Sequence, residues 1–122
     1  MSSTILLVED DPDAREIARI ILELHSYEVL TAVNGIEAIS KANIEPIDLI
    51  ILDISIPPKN GVHIMARMRE NPKLNNIPIV AFTALSSIDE QEMLKREGFD
   101  GVIPKPCRPE EIVETVEKFL KE

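Results

Sequence analysis

The chain reads as an open parallel α/β sheet with helices on both faces, and three observations carry that expectation. Apolar runs alternate with helix-like runs from one end of the sequence to the other. The runs Thr4-Ile5-Leu6-Leu7-Val8 and Ile47-Asp48-Leu49-Ile50-Ile51-Leu52 are rich in Ile and Leu, as strands covered on both faces require. Both runs end in carboxylates, Glu9-Asp10-Asp11 and Asp53, at the sheet edge where α/β proteins bind ligands.

The elements follow in order. After the first strand, Asp11, Pro12 and Asp13 supply an acidic cap and a proline for the first helical turn. Ala14, Ile17, Ala18, Ile21 and Leu22 then recur at helical spacing. Glu28 to Val33 predicts a second strand, and Asn34-Gly35 turns into a shorter helix with Ile36, Ala38, Ile39 and Ala42. The third strand ends at Asp53 and is stopped by Pro57 and Pro58. Val62, Met65, Ala66 and Met68 mark a third helix, and Ile77 to Phe82 a fourth strand with Pro78 at its mouth and Thr83 closing it. Ser87 to Glu97 is polar and weakly periodic, and is expected to be helical. Gly101 to Pro104 is a short fifth strand, and Ile112, Val113, Val116, Phe119 and Leu120 stripe a last helix.

For an open sheet of this size, the right-handed crossover rule favours the flavodoxin-like order 2-1-3-4-5. Strands one and three are then neighbours, and Glu9, Asp10 and Asp53 converge, with Thr83 and Lys105 arriving from strands four and five. At 122 residues, 44% of them hydrophobic, the chain suits a single core and one domain. Its net charge of -9 argues against nucleic-acid binding, which needs clustered Lys and Arg. No apolar stretch is long enough to insert in a membrane and no signal-peptide pattern precedes the first strand, so a cytoplasmic location is expected. The lone cysteine, Cys107, agrees with that.

Taken alone, Glu9-Asp10-Asp11 suits a helix-capping turn. Joined by Asp53 it has an electrostatic problem: two charges about 4 Å apart repel by roughly 4 kcal/mol at an effective dielectric of about 20. The acids must take up protons or bind a cation. Hard oxygen ligands without a His/Cys set describe Mg²⁺ rather than zinc.

The residues Val8-Glu9-Asp10-Asp11, Leu52-Asp53, Phe82-Thr83-Ala84 and Lys105-Pro106 together resemble the receiver domain of bacterial two-component response regulators. The resemblance covers essentially the whole chain, so residues 1–122 are expected to form one receiver domain. It implies that Asp53 is the phosphoacceptor, taking a phosphoryl group from a phosphohistidine of a sensor histidine kinase or histidine phosphotransfer protein. It further implies that Glu9 and Asp10 hold Mg²⁺ with Asp53 and the main-chain carbonyl of Ser55, with Asp10 favoured over Glu9 as a direct ligand. Thr83 and Lys105 would bind phosphoryl oxygens, Ala84 would leave space beside them, and the bond before Pro106 would be cis. The fourth helix, fifth strand and fifth helix would form the face that meets a downstream protein. Such a domain is a switch rather than a separate enzyme, although it takes part in its own phosphorylation and dephosphorylation.

Three positions depart from the family pattern. Val102 stands where an aromatic ring is usual, three residues before the lysine, which implies weaker or rerouted coupling to the outer face. Asn60 stands where Asp is frequent, and Leu85 cannot orient a hydrolytic water, which implies a long-lived phosphoryl group. Rival readings fare less well. Three acids after strand one would repel the phosphate of a flavin cofactor, and Asp53-Ile54-Ser55 lacks the second acid of an aspartyl-phosphate hydrolase. The remaining alternative is a receiver-like module that binds partners constitutively without phosphorylation. His25 and His63 lack ligand spacing, Cys107 reads as a passive thiol, and Met65, Met68 and Met93 read as packing residues. Glu110, Glu111, Glu114, Glu117 and Lys118 read as the solvated face of the last helix.

Overall fold

The computed structural model describes residues 3–54, 61–84, 87–105 and 107–120. Strands and helices alternate: β1 (Thr4–Val8), α1 (Pro12–Leu24), β2 (Glu28–Ala32), α2 (Gly35–Ile44), β3 (Leu49–Asp53), α3 (Gly61–Glu70), β4 (Ile79–Thr83), α4 (Ile88–Glu97), β5 (Gly101–Pro104) and α5 (Pro109–Leu120). All strand pairs are parallel, in the order β2-β1-β3-β4-β5 that the alternation predicts. The chain leaves β1 toward one edge and returns at β3 toward the other, so a crevice opens over the C-terminal ends of these neighbours.

Side chains alternate across the sheet and divide the core in two. Ile5, Leu7, Leu49, Ile51, Val80 and Phe82 face α1 and α5, where they meet Ala18, Leu22, Ile112 and Val116. Leu6, Val8, Ile50, Leu52, Ile79 and Ala81 face the other way, against Ala38, Ala42, Met65, Met68 and Leu94 of α2, α3 and α4. Every residue of β3 and β4 is buried. Each large aliphatic side chain so buried contributes about 1.5–3 kcal/mol, which makes these two strands the rigid base of the site.

Local chemistry sets the helix ends. Asp11 caps α1 by accepting from the Asp13 amide at 3.1 Å, with Pro12 in the first turn. Asn34 caps α2 through the Glu37 amide at 2.8 Å. Gly35 allows close packing, since a Cβ there would lie 2.5 Å from the Ile64 side chain of α3, which would have to move aside. The polar segment expected to be the fourth helix is one, held by a reciprocal capping box in which Ser87 accepts from the Glu90 amide and Glu90 accepts from the Ser87 amide. It ends at Gly98, whose φ of 128° favours glycine.

Some expectations shift. Val33 lies outside β2 because its amide donates to Glu37 Oε1, tying it to the entry of α2. The run expected from Ile77 enters the sheet only at Ile79, because the Ile77 amide closes a turn on the Leu74 carbonyl. Ile17 and Ile36, although at helical spacing, are exposed on the outer faces of α1 and α2. Met93, read as a packing residue, is also exposed, whereas Met65 and Met68 are buried. α4 is too polar to bury more than a narrow face, and Leu94 occupies it.

At the opposite edge of the sheet, Arg69 forms a clasp that the sequence did not reveal. Its guanidinium donates to the carbonyls of Ile77 at 2.8 Å and Gly98 at 2.9 Å, and pairs with Asp100 at 2.6 Å. Asp100 in turn accepts from the Ile79 amide at 2.8 Å. One side chain thereby fastens the end of α3, the start of β4 and the C-terminal cap of α4. No helix among the described residues is long and apolar enough to cross a membrane.

Candidate functional site

Strand register brings the acids together. Val8 pairs with Leu52 and Asp53 with Phe82, so Glu9 and Asp53 stand at the same level at the top of adjacent strands. Both are about as buried as the core, each only 1% exposed, whereas Asp10 faces solvent. One carboxylate oxygen from each of Glu9, Asp10 and Asp53 lies within 4.8 Å of the others, a grouping able to hold a metal ion.

Lys105 enters from the end of β5. Its amide donates to the Thr83 carbonyl at 2.7 Å, which fixes the strand-end turn. Its side chain then crosses the Phe82 ring, 4.7 Å from the centroid. The ammonium reaches Glu9 Oε1 at 2.7 Å and Asp53 Oδ2 at 3.0 Å. Burial pushes the Glu9 carboxyl up to about 7, helped by its contact with Asp53 and opposed by Lys105. For Lys105 burial works to lower the pKa, but the bonds to Glu9 and Asp53 outweigh it and the net shift is upward. The pocket thus combines a cation with clustered acids, and one of them, Glu9, is poised close to neutrality.

The β1–α1 turn is held by hydrogen bonds that join its backbone to β2 and to two side chains. The Glu9 amide donates to the Ala32 carbonyl at 2.9 Å, the Asp11 amide reaches Glu9 Oε2 at 3.3 Å, and Arg15 Nη1 donates to the Glu9 carbonyl at 3.0 Å. Arg15 was not singled out from the sequence. Its position one turn into α1 was visible, but not that its side chain bends back to the turn.

The response regulator receiver domain family matches residues 5–117. The chain belongs to that family. Among its relatives, an uncharacterized 14.6 kDa protein from the sodA1 3′ region of Leptolyngbya boryana is 34% identical, over 94% of this chain and 88% of that protein. The polar-differentiation response regulator DivK of Brucella anthropi is 28% identical, over 98% of each chain. The chemotaxis response regulator CheY4 of Vibrio cholerae has the same fold with a TM-score of 0.92 and 29% identity, over 98% of this chain and 100% of that one. Receiver domains are signalling proteins that interact with histidine kinases and with downstream targets.

Within this receiver domain the residues singled out from the sequence fall as follows. Glu9, Asp10, Asp53 and Lys105 meet in one cluster. Thr83 is buried at the end of β4, with Ala84 exposed just beyond it. Val102 is half-buried on β5 and packs against the core beneath α2, α3 and α4. Ser55, Pro106 and the bond before it, Asn60 and Leu85 lie outside the described residues. His25 and His63 are exposed, and Cys107 is half-buried, its thiol pushed up by burial and by Glu111. Of the acids along α5, Glu110, Glu114 and Glu117 are exposed with Lys118, and Glu111 is half-buried.

Proposed function

We propose that this receiver domain is a phosphorylation-operated switch of a two-component phosphorelay, with Asp53 as the phosphoacceptor and residues 1–122 acting as one domain. The observation that carries the reading is the environment of Asp53: a carboxylate 1% exposed at the end of a central strand, 3.0 Å from the Lys105 ammonium and grouped with Glu9 and Asp10. A purely structural acid would need one partner. This one has a cation on one side and further acids on the other, which is the equipment for receiving a dianionic group with a divalent ion.

Phosphoryl transfer depends on alignment and charge neutralisation more than on covalent assistance. An Asp53 oxygen forms a bond to phosphorus as the phosphorus–nitrogen bond of a partner's phosphohistidine breaks, and the imidazole keeps the electron pair. Glu9, Asp10, Asp53 and the main-chain carbonyl of Ser55 would hold the cofactor, Mg²⁺. When bound, Mg²⁺ offsets the negative charge gathered on the phosphoryl oxygens. Lys105 supplies a fixed positive charge to those oxygens, Thr83 a hydroxyl, and Ala84 a small side chain beside them. The donor of the phosphoryl group is a sensor histidine kinase or a histidine phosphotransfer protein. The recipient of the signal is a protein docking on α4, β5 and α5, where Ile88 and Met93 leave apolar surface exposed. Phosphorylation adds charge at the sheet edge and shifts the population of arrangements on that face.

Intact-mass analysis after incubation with acetyl phosphate tests the reading. Wild type should gain one phosphoryl group in a Mg²⁺-dependent manner, and Asp53→Asn should not. A folded wild-type protein that gains none leaves the constitutive binding module as the function.

A further inference from the structure

We propose that Arg15 is a positioning residue for the metal pocket, holding the β1–α1 turn so that Glu9 and Asp10 present their carboxylates together. The inference rests on the reading of the acid cluster as a divalent-cation site and assigns a specific task within it. Arg15 Nη1 donates to the Glu9 carbonyl at 3.0 Å. That carbonyl belongs to the planar peptide unit joining Glu9 to Asp10, so anchoring its oxygen fixes the direction in which the Asp10 side chain departs. The unit is anchored from neighbouring points as well. The Glu9 amide is tied to β2 through Ala32, and the Asp11 amide is tied to the Glu9 carboxylate at 3.3 Å. Asp11 caps α1, and its carbonyl accepts from the Arg15 amide at 2.9 Å. Arg15 therefore closes a loop: the turn starts the helix, and the helix reaches back to hold the turn.

The loop opposes a real force. Glu9 and Asp53 share Lys105, but Asp10 faces solvent and is pushed outward by the acids beside it. Without the guanidinium, the Glu9 carbonyl loses its side-chain anchor and the peptide unit between the two flanking bonds can tilt, shifting Asp10 relative to its partners. Residues that hold metal ligands in place without touching the metal typically change affinity by about 10-fold to 100-fold when removed.

The direction of the effect separates positioning from simple charge. Arg15 is a cation near the acid cluster, so if charge alone mattered its removal would tighten Mg²⁺ binding. Positioning predicts the opposite. Calorimetric titration with Mg²⁺ should show affinity weakened about tenfold in Arg15→Ala, with partial recovery in Arg15→Lys, which keeps a donor. Arg19→Ala removes the same charge from the same helix, where Arg19 is engaged by Glu16 and Glu23, and should leave affinity unchanged or slightly tighter. Phosphorylation of Arg15→Ala by acetyl phosphate should recover when Mg²⁺ is raised, because Asp53 and Lys105 are intact. Unchanged or tighter Mg²⁺ binding in Arg15→Ala overturns the proposal, as does equal weakening in Arg19→Ala. If Arg15→Ala does not fold, Arg15→Lys, which keeps a donor, and Arg15→Met, which does not, provide the comparison, and equal affinity in the two overturns it. Absence of Mg²⁺ binding in wild type would instead defeat the metal-site reading, and this inference with it.

Discussion

Glu9 shows how a site can be built from a residue that its surroundings disfavour. Its carboxyl ionises near 4.5 in an unfolded chain and near 7 in the folded one, because burial penalises the charged form more than Lys105 favours it. Between those values the folded chain keeps a proton that the unfolded chain releases. The contribution to stability is therefore fully present below pH 4.5 and is lost as the pH rises through about 7. In metal-free protein, Glu9→Gln should flatten the stability profile across this window, removing a slope worth on the order of 3 kcal/mol. Urea denaturation at a series of pH values measures it, and an unaltered slope in the variant would show that another group is responsible. The same proton competes with a cation for Glu9, so Mg²⁺ affinity should climb over the same interval.

Among the described residues of α4 only Leu94 is fully buried, and the ends of the helix are secured by different means. Ser87 and Glu90 satisfy the first amides with a capping box on the helix itself, while Gly98 at the other end is seized from outside by Arg69. Ser87→Ala should destabilise the protein by about 1 kcal/mol, read as a lower denaturation midpoint with an unchanged dependence on denaturant. Whether this segment was helical was the hardest question in the sequence, because its apolar residues do not form a stripe. The answer was nevertheless written there, in a serine followed three residues later by a glutamate. β3 and β5 were easier, since Asp53 and Pro104 end continuous apolar runs where the structure ends the strands. Exposed Ile17 and Ile36 show the limit of periodicity, which reports spacing but not which face has a neighbour.

At the level of the whole molecule, the acids and the lysine were legible as types and as strand ends. Their convergence followed from strand order alone. What could not be read was the inequality within the cluster: Glu9 buried against Lys105, Asp10 facing water. That depends on how a long side chain from β5 crosses Phe82, a tertiary fact. The Arg69 clasp was hidden for the same reason, because two of its partners, Gly98 and Asp100, are distant in sequence. This clasp has a consequence for the timing of motion. α4 is fastened at one tip through the Gly98 carbonyl and buries Leu94, so it should move as a lever with its fulcrum at the Gly98 end. Amide exchange should be fastest near Ile88 and slow progressively toward Glu97, and Arg69→Ala should level that gradient by quickening the slow end. A uniform rate along the wild-type helix would mean that the fulcrum lies elsewhere.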